Sequence, residues 1–165
     1  YGKPSLGGPW TLVDARTNRP VTDASFHGSY VLLYFGFSRC PDICPSELLK
    51  VQKVLRLLGD EAPTPLFVSL DPRRDSLRQL RVYAKDFDAR VRFLVGTPAQ
   101  CKTAAKAYRV YSSIGAVDDE DDDDYLIDHS IVLYLVGPDG KFLDFFTQAT
   151  PADAIAAKIR EHRSS

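Results

Sequence analysis

Three short segments of this 165-residue chain are apolar on both faces: Tyr30–Phe35, Leu66–Leu70 and Ile131–Val136. A strand can be apolar on both sides only where helices or other layers cover both, so these segments predict the central strands of a two-sided sheet. The stretches between them have helical period. Glu47–Leu58 places Leu48, Val51, Leu55 and Leu58 on one face and stops at Gly59. Asp75–Phe87 turns Leu77, Leu80 and Ala84 inward, and Pro98–Val110 follows the shorter strand Val91–Val95.

The ends of the chain differ from this centre. Trp10–Val13 reads as a strand, with Thr17–Pro20 as the turn of a short hairpin. Gly137-Pro138-Asp139-Gly140 turns the third central strand into Phe142–Phe146, a hairpin by its turn chemistry. Pro151–His162 closes the chain as a helix, with proline at a tolerated first-turn position. There is no internal repeat and no linker, so residues 1–165 form one domain. Helix-linked strands followed by a hairpin give an α/β class. The expected architecture is a thioredoxin-like fold, a central mixed sheet flanked by helices with an N-terminal hairpin extension. In that arrangement the strand at Ile131 runs antiparallel beside the strand at Val31, so that His129, just before one, faces Cys40 and Cys44, just after the other.

Composition removes several function classes. Twenty-one basic residues against 22 acidic give a net charge of -1, with no basic field for nucleic acid. The longest near-continuous apolar run, Tyr30–Phe37, falls far short of the roughly 18 residues of a membrane span. The chain opens at Tyr1 and has no methionine, so we expect a processed form whose targeting or anchoring segment precedes it. Thioether ligands are excluded. Three unevenly spaced cysteines do not make a disulfide framework.

Cys40-Pro41-Asp42-Ile43-Cys44 therefore carries chemistry or nothing. On a helix, positions i and i+4 share a face with Cβ atoms about 5–6 Å apart, which suits two thiolates on one soft ion and also a disulfide. Pro45 and Glu47 suggest that Cys44 caps the helix, where unpaired N–H groups favour thiolate. Two thiolates and an imidazole select Cu(I) or zinc. A structural zinc site wants a fourth protein ligand, and none is evident. The competing reading is a plain redox dithiol with His129 on the surface. A thioredoxin-type catalyst carries a proline before the strand opposite its dithiol, whereas residues 126–132 read Leu-Ile-Asp-His-Ser-Ile-Val, which favours metal holding.

The run Tyr34-Phe35-Gly36-Phe37-Ser38-Arg39-Cys40-Pro41-Asp42-Ile43-Cys44-Pro45, together with Asp124-Tyr125-Leu126-Ile127-Asp128-His129-Ser130, resembles the Sco family of copper metallochaperones. The likeness continues through Leu6–Pro9, Ser69–Pro72, Tyr108–Tyr111 and Gly137–Gly140, across about residues 5 to 160. It implies one copper, as Cu(I) with Cu(II) left open, held by Cys40, Cys44 and His129. It also implies delivery to the copper A site of cytochrome c oxidase subunit II, or reduction of that site's cysteines. The implied partners are subunit II, a copper-donor chaperone and other Sco-type proteins. The implied place is the mitochondrial inner membrane, with this domain in the intermembrane space (the periplasmic face in a bacterium) and the membrane met only through a preceding anchor. The acidic insertion looks like that of the mitochondrial members. Three residues depart from the family pattern: Trp10 for Phe, Arg73 for Glu and Arg39 for His. None is a ligand.

The remaining candidates divide plainly. Asp128 either orients His129 or caps the backbone, and Asp42 satisfies N–H groups at the helix start. Asp118–Asp124 is seven consecutive acids, without which 21 bases face 15 acids. It forms a solvated loop or a segment that helps dock a basic partner or gates His129. Cys101 reads as a buried, inert thiol, His27 and His162 as ordinary, and Tyr34, Phe35, Phe37, Phe67 and Phe93 as core. The sequence thus leads to a metal-transfer protein rather than a turnover enzyme, with the dithiol state gating loading. A thiol–disulfide reductase is the alternative; a single-thiol peroxidase fits poorly with a cysteine pair.

Overall fold

The computed structural model describes residues 6–38, 43–110, 113–114, 127–128 and 131–164, with the backbone alone at 43–44, 113–114 and 127–128. The elements are β1 (Thr11–Asp14), β2 (Arg19–Thr22), β3 (Val31–Gly36), α1 (Ile43–Leu58), β4 (Thr64–Ser69), α2 (Leu77–Ala84), β5 (Arg92–Val95), α3 (Pro98–Ala107), β6 (Ser113–Ile114), β7 (Ile127–Asp128), β8 (Val132–Val136), β9 (Phe142–Thr147) and α4 (Ala152–Arg163). Seven strands form one sheet in the order β2-β1-β5-β4-β3-β8-β9. β3 lies parallel to β4 and antiparallel to β8, and β8 runs antiparallel to β9.

The three two-sided apolar segments occupy the three adjacent inner positions β4, β3 and β8, as expected. All six residues of β3 are buried. Because successive side chains alternate across a strand, Tyr34 and Phe35 enter different layers. Tyr34 meets Phe67, which packs on Phe93 at a ring separation of 5.1 Å; Tyr83 of α2 closes on Phe67 and Phe93. Phe35 meets Tyr108 at 5.8 Å, and Tyr108 meets Tyr134 at 5.3 Å. Aromatic side chains therefore pack on both faces of the central strands.

Several boundaries move. The first turn spans residues 15–18 rather than Thr17–Pro20, with Asn18 at φ 58. Pro20 lies inside β2, tolerated because β2 is an edge strand whose outer N–H positions need no partner. The N-terminal hairpin extends the central sheet, since Val13 and Asp14 pair with Val95 and Leu94 of β5. α2 is shorter than expected because Ser76 caps it, accepting the Gln79 N–H at 3.1 Å. α3 starts as expected at Pro98, inside a capping box of Thr97 and Gln100. The turn into β9 needs Gly140, whose φ of 83 and N–H bond to the Gly137 carbonyl close it. The ribbon β6–β7, two residues a side and antiparallel, had no counterpart in the sequence reading.

Candidate metal and thiol site

The parallel pair β3–β4 ends level, Gly36 opposite Ser69. The segments leaving both strands emerge at one edge of the sheet, the place where parallel α/β sheets hold ligands. β8 enters at the same edge, with Leu133 opposite Tyr34. Cys40 lies six residues beyond Tyr34 and His129 four before Leu133. The register therefore joins the strand ends that lead to the cysteine pair and come from the histidine.

Cys40, His129, Arg39, Asp42 and the acidic run Asp118–Asp124 lie outside the described residues, as do the side chains of Cys44 and Asp128. Among the described residues no three His, Cys, Asp or Glu side chains gather at metal-holding spacing. What is described is the frame around the site. α1 begins at Ile43, so Cys44 is its second residue and not its cap, a correction to the sequence reading. Proline is tolerated in a first turn, and here Pro45 sits inside that turn rather than opening it. Cys44 still falls among the unpaired N–H groups of the helix start, where thiolate is favoured over thiol. Asp128 belongs to β7, opposite Ser113 of β6; a backbone ladder thus leads directly into His129.

One turn past Cys44, Glu47 is buried and pairs with Lys50 at 3.1 Å. Burial pushes the Glu47 carboxyl above its ordinary range, with Lys50 opposing. Lys50 Nζ also donates to the carbonyls of Gln148 and Thr150, at 3.3 and 3.0 Å. This clamp ties the cysteine-bearing helix to the connection between β9 and α4.

On the other side of the loop stands a group that the sequence reading missed. Asp75, where the helical period begins in the sequence, lies before α2 and is fully buried. Its Oδ2 accepts the Ser38 N–H at 3.0 Å and the Ser69 hydroxyl at 2.8 Å, and its Oδ1 accepts the Ser38 hydroxyl. The Ser69 oxygen in turn accepts the Asp71 N–H at 3.0 Å, and Asp71 pairs with Arg74. Burial raises the Asp75 carboxyl above its ordinary range, against the lowering effect of the Ser38 and Ser69 bonds. A signal was present: serine and two aspartates clustered within seven residues at the end of a buried strand.

The minor candidates resolve cleanly. Cys101 is buried, and burial pushes its thiol up to about 11, as an inert core thiol requires. His162 lies with its Nε2 3.0 Å from Asp144 Oδ2, tying α4 to β9. Trp10, the departure from Phe, is buried and packs near Phe26.

A mixed sheet of this order, with a helix carrying a cysteine leaving its central strand, defines a thioredoxin-like domain. The chain belongs to the SCO1/SenC family, whose profile matches residues 1–164. It is 45% identical over 169 residues to the mouse protein named "Protein SCO1 homolog, mitochondrial", covering 98% of this chain and 58% of that protein. The chain thus spans less than two thirds of that curated relative's length. Among solved structures, yeast Sco1 with copper bound superposes with a TM-score of 0.90 at 40% identity, covering 98% of this chain and 90% of the yeast chain. Arabidopsis thaliana ScoI with copper bound gives 0.83 at 36% identity, covering 97% and 99%. No helix among the described residues is long and apolar enough to cross a membrane.

Proposed function

We propose that this chain is a copper metallochaperone that binds one copper through Cys40, Cys44 and His129. In this reading it passes the ion to the copper A site of cytochrome c oxidase subunit II by ligand exchange. The observation that carries the proposal is the β3–β8 register, Tyr34 opposite Leu133, in a family member 40% identical to a copper-bound yeast protein. Two thiolates and one imidazole form a soft three-donor set suited to Cu(I), with Cu(II) accommodated by the imidazole. Three donors also leave a coordination position for an incoming ligand, which is what transfer requires. Asp128, held by the β6–β7 ribbon, is proposed to orient His129.

The dithiol state gates loading. The Cys40–Cys44 disulfide accepts two electrons and two protons from a thiol reductant to give two thiols, and Cu(I) then displaces those protons. A copper-donor chaperone supplies the ion, other Sco-type proteins are candidate partners, and the place of action is the intermembrane face of the mitochondrial inner membrane. No substrate is turned over.

The thioredoxin-like frame and the position of Cys44 in the first turn of α1 also support a second reading, reduction of the subunit II cysteines. A transfer assay separates the two. Two equivalents of copper-loaded chain are mixed with the reduced, copper-free soluble domain of subunit II, and the rise in copper bound to that domain is followed by metal analysis after the proteins are separated. The metallochaperone reading expects that His129→Ala abolishes the rise while the protein still reduces an oxidised acceptor. A rise unaffected by His129→Ala, with activity confined to disulfide reduction, would hand the role to the reductase.

A further inference from the structure

Ser38 ends the described part of the loop that leads to Cys40, and its anchorage is unusual. A fully buried carboxylate, with no cation paired to it among the described residues, holds it by both backbone and side chain. Arg74, the neighbouring guanidinium, pairs with Asp71 instead, so Asp75 is satisfied by the neutral donors of Ser38 and Ser69. Burying a carboxylate is costly unless its oxygens are bonded, and two of the three bonds that Asp75 accepts come from Ser38, the residue that leads into the cysteine segment.

The geometry points to Asp75 as a positioning residue for the cysteine pair: its carboxylate pins Ser38 to Ser69, and with them the β3 exit to the β4 exit. Two residues of extended chain span at most about 7 Å, so fixing Ser38 confines where the Cys40 Cα can lie. The other end of the loop is fixed at α1, which the Lys50 clamp holds. Fixing both described ends of the segment limits the positions open to the two thiols before any ion or disulfide joins them. Pre-set geometry strengthens both, because the ordering cost is met in folding rather than in binding. The inference deepens the proposed copper site and rests on it.

The test compares Asp75→Asn and Ser38→Ala with Asp14→Asn. Asp14 is equally buried and is bonded to Arg92 at 2.8 Å, but it lies on β1, three strands from β3 in the sheet. For each protein we would measure urea stability, Cu(I) affinity against a competing chelator, and the Cys40–Cys44 equilibrium with glutathione. Asp75→Asn is expected to weaken Cu(I) binding at least tenfold and to shift the glutathione equilibrium by at least tenfold, about 30 mV for a two-electron couple. Ser38→Ala, which keeps the backbone bond, should fall between Asp75→Asn and the parent. Asp14→Asn should lose stability with both thiol readouts unchanged. The inference is overturned if Asp75→Asn and Asp14→Asn alter the thiol readouts equally, or if Asp75→Asn lowers stability alone. Parent protein that binds no Cu(I) would refute the copper reading instead, and the glutathione equilibrium would still decide the role of Asp75.

Discussion

Asp75 Oδ2 accepts the backbone N–H of Ser38 at 3.0 Å, joining two residues 37 positions apart at the rim of the sheet. The bond sets the exit of the central strand against the exit of its parallel neighbour. It depends on Ser69, whose hydroxyl donates to the same carboxylate oxygen while its own oxygen accepts the Asp71 N–H. Removing that hydroxyl by Ser69→Ala leaves a buried donor and part of a buried acceptor unpaired. Such orphaned groups cost about 1–3 kcal/mol each, so Ser69→Ala should lower unfolding free energy by about 2 kcal/mol in a urea titration. A change within 0.5 kcal/mol would mean that water replaces the hydroxyl freely.

Phe67 is fully buried at the meeting point of Tyr34, Tyr83 and Phe93. Phe67→Ala removes a ring from three aromatic contacts and leaves a cavity in a layer that cannot collapse without moving strands. A loss of about 3–5 kcal/mol is expected. Phe67→Leu should recover more than half of it, read from the same urea midpoints at constant slope.

Asp88 carries a defined pH dependence. Arg90 binds both its oxygens, Nε to Oδ1 at 3.0 Å and a terminal nitrogen to Oδ2 at 2.8 Å. These bonds hold the carboxyl down at about 2, against 3.8 for an ordinary aspartate. Because the folded value lies below the unfolded one, the stabilisation is complete above 3.8 and is lost as pH falls from 3.8 through about 2. Stability curves of the parent and Asp88→Asn should therefore differ above pH 4, converge toward pH 2, and differ less in high salt, because the pair is partly exposed. A constant offset across the range would assign the difference to something other than the ion pair.

Cys101 separates the three thiols by reactivity. Its burial and its thiol at about 11 keep it protonated and shielded at neutral pH. Alkylation of the reduced native protein, counted by mass spectrometry, should add two groups quickly and a third only in denaturant. Rapid addition of three groups to the folded chain would show that Cys101 is accessible.

The fold was legible where burial alone decides structure. β3, β4 and β8 show themselves as apolar on both faces because all their neighbours are apolar, and the expected antiparallel placing of the Ile131 strand beside the Val31 strand is what the structure shows, which adds the register of Tyr34 opposite Leu133. What escaped was set by polar groups acting over distance. Asp75 looks like any aspartate before a helix, and only the return of β4 beside β3 turns it toward Ser38. The β6–β7 ribbon is two residues a side within a polar stretch, too short for any periodicity. The start of α1 at Ile43 was missed because Pro45 suggests an N-terminal boundary, although proline is equally tolerated later in the first turn. The candidate site, Cys40, Cys44, His129 and Asp128, comes from residue types and spacing in the sequence, and the register of β3 and β8 is what supports the proposal that these residues act together.

The most direct test of that account is a Cu(I) titration of the fully reduced chain under anaerobic conditions, with a competing chelator, on the parent and on Cys40→Ala, Cys44→Ala and His129→Ala. One copper per chain is expected in the parent, with binding weakened by at least a hundredfold on loss of either cysteine and at least tenfold on loss of the histidine. Tight binding that ignores His129→Ala would contradict the three-donor site and leave a bare dithiol in its place.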